Sequence, residues 1–200
     1  MSNKEVEART ATTIKLANVA GESAAKVSDQ LTAVWNNFYD GSKSLEYYAD
    51  VMTALGASTA SSTDEIAKGL EKFSSIAKTT GLSYEYATSA LSTVVAATRQ
   101  SADSVGTSFK TLFSRLQGLS LGETLDDGTT LNKYSKALNT IGVNIKNANG
   151  SLKDMDNILD EIGERWTSLT KAEQVALAQT VGGARNYTGL VSLMDNWDDF

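Results

Sequence analysis

The 200-residue chain contains no proline, no cysteine and no histidine. Because proline interrupts helix interiors, its absence leaves the whole length free to form helices. Without cysteine no disulfide bond can form, and without cysteine and histidine the thiolate and imidazole ligands of metal sites are excluded. Acid–base catalysis by histidine and nucleophilic catalysis by cysteine are excluded as well. We therefore predict a protein that acts through its surfaces, with no catalytic, metal-binding or cofactor-binding residues.

The chain also lacks long apolar runs and an excess of positive charge. No run approaches the ~20 apolar residues of a membrane-spanning helix, so we predict no transmembrane segment. Lysine and arginine number 18 against 24 aspartate and glutamate residues, which gives a formal net charge of −6. This acidic balance argues against nucleic-acid binding through the overall field. The hydrophobic content of 41% is that of a chain that folds around a core.

The most regular pattern lies in residues 83–118, where apolar side chains recur at helical spacing on both sides of the polar link Arg99–Asp103. We predict two amphipathic helices there, whose apolar faces close on each other as a hairpin. The first face comprises Tyr84, Ala87, Leu91, Val94, Val95 and Thr98. The second comprises Val105, Phe109, Leu112, Phe113 and Leu116.

Local signals mark helix ends along the rest of the chain. Residues 4–38 are predicted to form one long helix, or two with a bend at Gly21, and a helix over residues 45–55 is predicted to end at Gly56. Ser62 with Glu65, and Thr170 with Glu173, fit the capping box that begins a helix. The predicted fold class is all-α, a multi-helix array of antiparallel hairpins.

One segment departs from the helical pattern. Residues 143–146 alternate apolar and polar side chains, and Asn149-Gly150 follows as a turn dipeptide. We predict a short β-hairpin or extended excursion near residues 143–152. The predicted domains are an N-terminal long helix (1–40), central helical hairpins (41–122) and a C-terminal helical part (123–200) that we expect to be truncated at its end.

Several stretches, taken in order, resemble the core region of phage tail tape measure proteins. They include YADVMTAL (48–55), GTSFKTLFSRL (106–116), IGVNIKNANGSL (141–152) and the Gly-Gly-Ala-Arg stretch ending at Arg185. The resemblance covers roughly residues 20–197. It implies that the motif positions pack the core: Gly106, Phe109, Leu112, Phe113, Arg115, Leu116, Gly182, Gly183 and Arg185.

The resemblance implies a structural role in a phage or prophage. Tape measure proteins set tail length during assembly and occupy the lumen of the tail tube until DNA ejection. The implied partners are other copies of the chain, the remaining tape measure segments, tail tube proteins, the tail assembly chaperone and tail tip proteins. The implied locations are the virion tail and, during assembly, the host cytoplasm. Since tape measure proteins are much longer, we expect this chain to be a segment of a larger protein.

Two other classes of function stay open at this point. A secreted or surface helical-hairpin module of the WxG type is disfavoured because Trp35-Asn36-Asn37 lacks the glycine of that turn. A cell-wall hydrolase that uses carboxylates alone needs a glutamate of raised pKa in a cleft. Glu161 and Glu164 are one turn apart, but such pairs are more typical of a solvated helix face.

Overall fold

The computed structural model describes residues 2–118, 130–149, 151 and 153–199. This part of the chain contains nine α-helices, one short 3₁₀-helix and no strand, which confirms the all-α class. The helices are α1 (Asn3–Ala20), α2 (Ala24–Phe38), α3 (Leu45–Ser58), α4 (Thr63–Thr80), α5 (Tyr84–Thr98), α6 (Ala102–Gly118), α7 (Thr130–Thr140), α8 (Met155–Trp166) and α9 (Lys171–Asp195), followed by the 3₁₀-helix Trp197–Asp199. None of the described helices is long and apolar enough to cross a membrane.

Both predicted capping boxes are confirmed. The Glu65 backbone N–H donates to Ser62 Oγ at 3.2 Å, and the Ser62 N–H donates to the Glu65 carboxylate at 2.8 Å. Thr170 and Glu173 exchange the same two bonds at the start of α9. The bonds from Thr170 to the Glu173 carboxylate lower its pKa. Each box satisfies backbone donors that the first helical turn leaves without partners.

The two glycines that were predicted to interrupt or end helices, Gly21 and Gly56, differ in the structure. Gly21 adopts φ 67° and separates α1 from α2, so of the two predicted alternatives the structure contains two helices. The prediction that Gly56 ends a helix is wrong, because α3 continues to Ser58. A Cβ at Gly56 would lie 2.7 Å from the Thr63 backbone nitrogen, so this glycine permits a close approach between chain segments.

The described chain divides into two compact units, of which unit 1 comprises Met1–Lys78 and Ser83–Thr107. In unit 1, α1 packs on α2 and α3, and α3 packs on α2 and α5. Helices α4 and α5 meet where Leu91 lies against Gly69. The largest fully buried side chains of this unit are Leu31, Met52, Ile66, Leu70, Phe73 and Leu91.

A polar cluster ties α2 to α4 within unit 1. Asp64 accepts hydrogen bonds or ion pairs from Lys68 at 2.6 Å, Lys26 at 2.9 Å and Gln30 at 3.2 Å. Partial burial raises the pKa of Asp64, but the bonds from these three side chains outweigh it and lower the pKa to about 2. The carboxylate therefore stays charged at neutral pH and holds the two helices together.

Unit 2 comprises Thr79–Leu82 and Ser108–Phe200, and in it α7 and α8 pack on α9. Trp166 is 1% exposed, and its indole N–H donates to the Asp195 carboxylate at 2.6 Å. The Gln174 amide donates to the Trp166 carbonyl at 2.8 Å. These bonds fix the last turn of α8 to both ends of α9.

The excursion after α7 is extended rather than helical. Among its described residues only Lys146 forms an isolated β-bridge. The Asn147 N–H donates to the Ser151 carbonyl at 2.8 Å, and the Lys153 N–H donates to the Ile145 carbonyl at 3.0 Å. The described residues thus form an extended turn with one bridge position and no strand. Gly150 and Leu152, which belong to the predicted hairpin or excursion, lie outside the described residues.

The apolar faces predicted for α5 and α6 are buried at every described position except Thr98, which is half-buried. Both helices are therefore amphipathic, as predicted. The closure of the two faces on each other stays a prediction, and so does the division into segments 1–40, 41–122 and 123–200.

Candidate functional site

The second half of α6 carries most of the motif residues and buries one face. Phe109, Leu112 and Phe113 are each at most 2% exposed, and the two phenylalanine rings lie 5.4 Å apart. Their spacing of three and four residues places all three on the same side of the helix. Burial of this face gives α6 a defined orientation within unit 2.

The long helix α9 bends at Gly182-Gly183. Gly183 has φ 70° and ψ 171°, a conformation that is essentially restricted to glycine. A Cβ at Gly182 would lie 2.8 Å from the Tyr187 Cα and 3.2 Å from the Leu112 side chain. The first glycine is therefore required by close packing and the second by backbone geometry.

Arg115 connects α6 to this bend. Its Nη1 donates to the Val181 carbonyl at 3.2 Å, and a Cβ on Gly183 would lie 2.5 Å from the same nitrogen. The guanidinium thus occupies the space left by the missing side chain at position 183. A charged donor on a backbone carbonyl forms a stronger hydrogen bond than a neutral pair, so this contact stabilises the bent form of α9.

Two further residues extend the contact along α9. Ser108 Oγ donates to the Asn186 side-chain oxygen at 3.1 Å, and a Cβ at Gly189 would lie 3.6 Å from the Ser108 Cβ. We call the described residues Ser108–Arg115 together with Val181–Gly189 the α6–α9 contact. It joins two motif stretches that are about seventy positions apart in the chain.

The remaining motif residues are Gly106, Arg185 and Leu116. Gly106 belongs to unit 1, where a Cβ would lie 2.5 Å from the Gly69 carbonyl oxygen. Arg185 is exposed, and the side chain of Leu116 lies outside the described residues. Gly69, Ser108 and Asn186 also take part in close packing or hydrogen bonds but are not among the predicted packing residues. Gly69 carried a signal, since an isolated glycine inside a helical pattern often marks a close approach.

The carboxylates considered for hydrolysis take part in ion pairs. Glu161 is held by Lys153, and Glu164 lies 3.8 Å from Arg165 with its side chain 72% exposed. Among the described residues no cluster of three acidic side chains could hold a metal ion. The α6–α9 contact itself consists of apolar packing, the Ser108–Asn186 hydrogen bond, a bent backbone and the partly buried Arg115 guanidinium. Such an arrangement can fix the relative position of the two helix segments.

A family model described as a phage-related minor tail protein matches residues 1–183. The matched region contains α1 to α8 and the part of α9 that precedes and includes the bend at Gly183. No solved structure matches the chain.

Proposed function

The chain belongs to the family of phage-related minor tail proteins, and from this membership we propose that it is the core region of a tape measure protein. In this role it sets tail length during assembly and occupies the lumen of the tail tube until DNA ejection. The family supports a structural role in the tail. The finer assignment rests on the resemblance of the ordered motifs to tape measure sequences.

The α6–α9 contact is the observation that carries this proposal. Two of the resembling stretches, 106–116 and 169–185, supply residues that meet at the bend of α9, namely Arg115 from the first and Val181 and Gly183 from the second. The Arg115 guanidinium occupies the space that the missing side chain of Gly183 leaves open. Neither stretch of sequence, taken alone, predicts this contact. The resemblance therefore marks residues that pack together, as expected of a structural protein.

The proposed partners follow from the same role. They are other copies of the chain, the remaining tape measure segments, and the tube, chaperone and tip proteins of the tail. The proposed locations are the virion tail and, before assembly is complete, the host cytoplasm. We propose that the chain acts through these contacts and not as an enzyme.

Tail length in the phage or prophage that encodes the chain tests the proposal. A helix rises ~1.5 Å per residue, so in-frame duplication of residues 3–98, which span α1 to α5, lengthens an extended ruler by about 140 Å. In-frame deletion of the same residues shortens it equally. Duplication leaves one intact copy of the segment, which separates the effect on length from a failure of assembly.

Electron microscopy of negatively stained tails measures both changes. A recoded gene with an unchanged protein sequence is the matched control. Length changes of opposite sign in the two variants support the ruler. Normal tails of unchanged length in both variants contradict it and leave a structural role in the tail of another kind.

A further inference from the structure

A spacing of 39 residues relates helices α2, α4 and α6. Each helix follows a serine whose hydroxyl accepts the backbone N–H three residues later, and these cap serines are Ser23, Ser62 and Ser101. Ser44 and Ser83, which cap α3 and α5, are also 39 residues apart. Buried apolar side chains keep the same interval: Val27, Ile66 and Val105; Leu31, Leu70 and Phe109; Val34, Phe73 and Leu112. The spacing marks a structural repeat of two helices, with the successive helix pairs α1–α2, α3–α4 and α5–α6.

Equivalent positions of the repeat face the following helix. Seven residues after its cap serine, Gln30 donates to Asp64 of α4 at 3.2 Å. At the same position of α4, the Gly69 carbonyl oxygen lies 2.5 Å from where a Cβ on Gly106 of α6 would be. The first helices of the pairs also follow one another, since α1 packs on α3 and α3 packs on α5. Successive pairs in unit 1 therefore contact each other through the same sides.

Helix α2 lies against both helices of the next pair. The Trp35 indole N–H donates to the Leu45 carbonyl of α3 at 3.0 Å. The Asn37 amide donates to Ser74 Oγ of α4 at 3.1 Å. The surface between α3 and α4 is thus covered by the second helix of the preceding pair.

Helix α4 covers the pair α5–α6 in the same way. Gly69 lies against the Leu91 side chain of α5, where the glycine leaves no room for a Cβ. Lys72 Nζ lies 2.9 Å from the Asp103 carboxylate of α6. In unit 1 the same kind of surface is therefore covered twice, each time by the second helix of the preceding pair.

The equivalent surface of the first pair is an open groove of about 590 Å³, which we call the α1–α2 groove. Its lining includes Arg9, Thr13 and Ile14 of α1 and Ser28, Thr32 and Trp35 of α2. Trp35 occupies the repeat position of Ser74, the residue of α4 that accepts the hydrogen bond from Asn37. The groove therefore lies on the side of α2 that corresponds to the covered side of α4.

The first pair does not have the polar outer face of a terminal repeat. Three of the four large hydrophobic side chains that are exposed in the described part of the chain lie on α1, including Val6 at 47% and Ile14 at 50%. Arg9 contributes a buried Nε donor that has no hydrogen-bond partner. Exposed charges of both signs, such as Lys4 and Glu7, occur on α1, so the shape of the groove and not its charge selects an occupant.

We propose that the α1–α2 groove binds the second helix of a further helix pair of the same repeat. This helix follows a cap serine and carries apolar residues four, eight and eleven positions after it, as α2, α4 and α6 do. The bound pair continues the contacts that already cover α3–α4 and α5–α6. The inference rests on the helix contacts of unit 1 and does not require the tape measure role.

Insertion of an additional copy of residues 44–82 in front of Ser2 supplies such a pair. Ser2 then caps α1 after the inserted copy, as Ser83 caps α5 after residues 44–82. Because the chain contains no cysteine, Thr32→Cys places a single thiol in the groove. We expect the insertion to slow the reaction of this thiol with a thiol-reactive dye at least tenfold. Unchanged reactivity at position 32 overturns the proposal.

Two controls separate binding in the groove from other effects of the insertion. Ser104→Cys, exposed on α6, should react at the same rate with and without the inserted copy. An inserted copy that carries Ile66→Ser, Leu70→Ser and Phe73→Ser should not protect position 32. Equal protection by the intact and the altered copy would show that any tethered segment shields the groove, and it overturns the proposal.

Two further measurements cover the remaining outcomes. Far-UV circular dichroism should show additional helix for the intact copy, and its absence overturns the proposal because the inserted pair has then not folded on the groove. Sedimentation velocity of the chain without the insertion tests for a second copy in the groove. Self-association that the insertion abolishes would assign the groove to a second copy and overturn the proposal, whereas monomers in both forms, with position 32 protected, support it.

Discussion

Replacement of Gly183 by alanine tests the bend of α9 directly. A non-glycine residue at φ 70°, ψ 171° costs about 1–3 kcal/mol. The added Cβ also displaces Arg115 Nη1, which lies 2.5 Å from its position, and breaks the hydrogen bond to the Val181 carbonyl. A bond from a charged donor contributes about 1.5–3 kcal/mol.

Two effects reduce the sum of these costs. The arginine is flexible and can move aside, and alanine loses less backbone entropy on folding than glycine, by about 0.4–1 kcal/mol. We therefore expect Gly183→Ala to lower the free energy of unfolding of unit 2 by about 2–4 kcal/mol. Gly142→Ala is the matched control, because Gly142 also lies in unit 2 and has φ 78°, but the nearest atom to its Cβ position is Arg165 Nε at an ordinary contact distance of 3.5 Å.

Urea unfolding followed by tryptophan fluorescence measures the change. In a Trp35→Phe background the remaining tryptophans, Trp166 and Trp197, both belong to unit 2 and report on that unit. A double-mutant cycle with Arg115→Ala isolates the contact between positions 115 and 183. A cost of Gly183→Ala no greater than that of Gly142→Ala, or additive effects of the changes at 115 and 183, would refute this account of the bend.

Three further predictions concern the core and its charges. Phe109→Ala and Leu112→Ala should each lower the free energy of unfolding, measured in urea, by ~2–5 kcal/mol, because both side chains are fully buried. A near-zero loss for both would contradict their place in the core. Gly106→Ala should lower the free energy of unfolding by ~1–3 kcal/mol, since its Cβ would meet the rigid Gly69 backbone. Because both glycines lie in unit 1, urea unfolding followed by far-UV circular dichroism measures this change, and an unchanged stability would show that the helices separate easily. The pKa of Asp64 in the folded chain is about 2, below its unfolded value. The charged carboxylate therefore contributes up to ~2 kcal/mol to the free energy of unfolding above about pH 4, and this contribution is lost as the pH falls towards 2. Asp64→Asn should flatten this part of the stability–pH curve and Asp29→Asn should not; the same curve for all three proteins would argue against the role of the polar cluster.

The helices and their ends could be predicted because their causes are local. The capping residues Ser62 and Thr170 bind backbone groups only three positions away. Gly21 and Gly183 interrupt helices through their own backbone angles. The apolar face of α6 follows from the 3.6-residue period alone.

The prediction at Gly56 failed because the same residue type serves two purposes. A glycine can permit a positive φ, or it can remove a Cβ that would collide with a neighbouring segment. At Gly56 the neighbour is Thr63, and at Gly106 it is Gly69. The sequence pattern does not show which segment approaches a given glycine.

The sequence by itself determined the all-α class, the capped helix starts and the burial of Phe109, Leu112 and Phe113, since periodicity and capping depend on residues within a few turns of one another. Only the tertiary structure decided that Arg115 reaches the Val181 carbonyl, that Gly69 faces Gly106, and that α1 and α2 leave a groove open between them. Each of these features joins segments whose distance in space depends on how the helices pack. The residues next to a side chain in the sequence do not determine that distance.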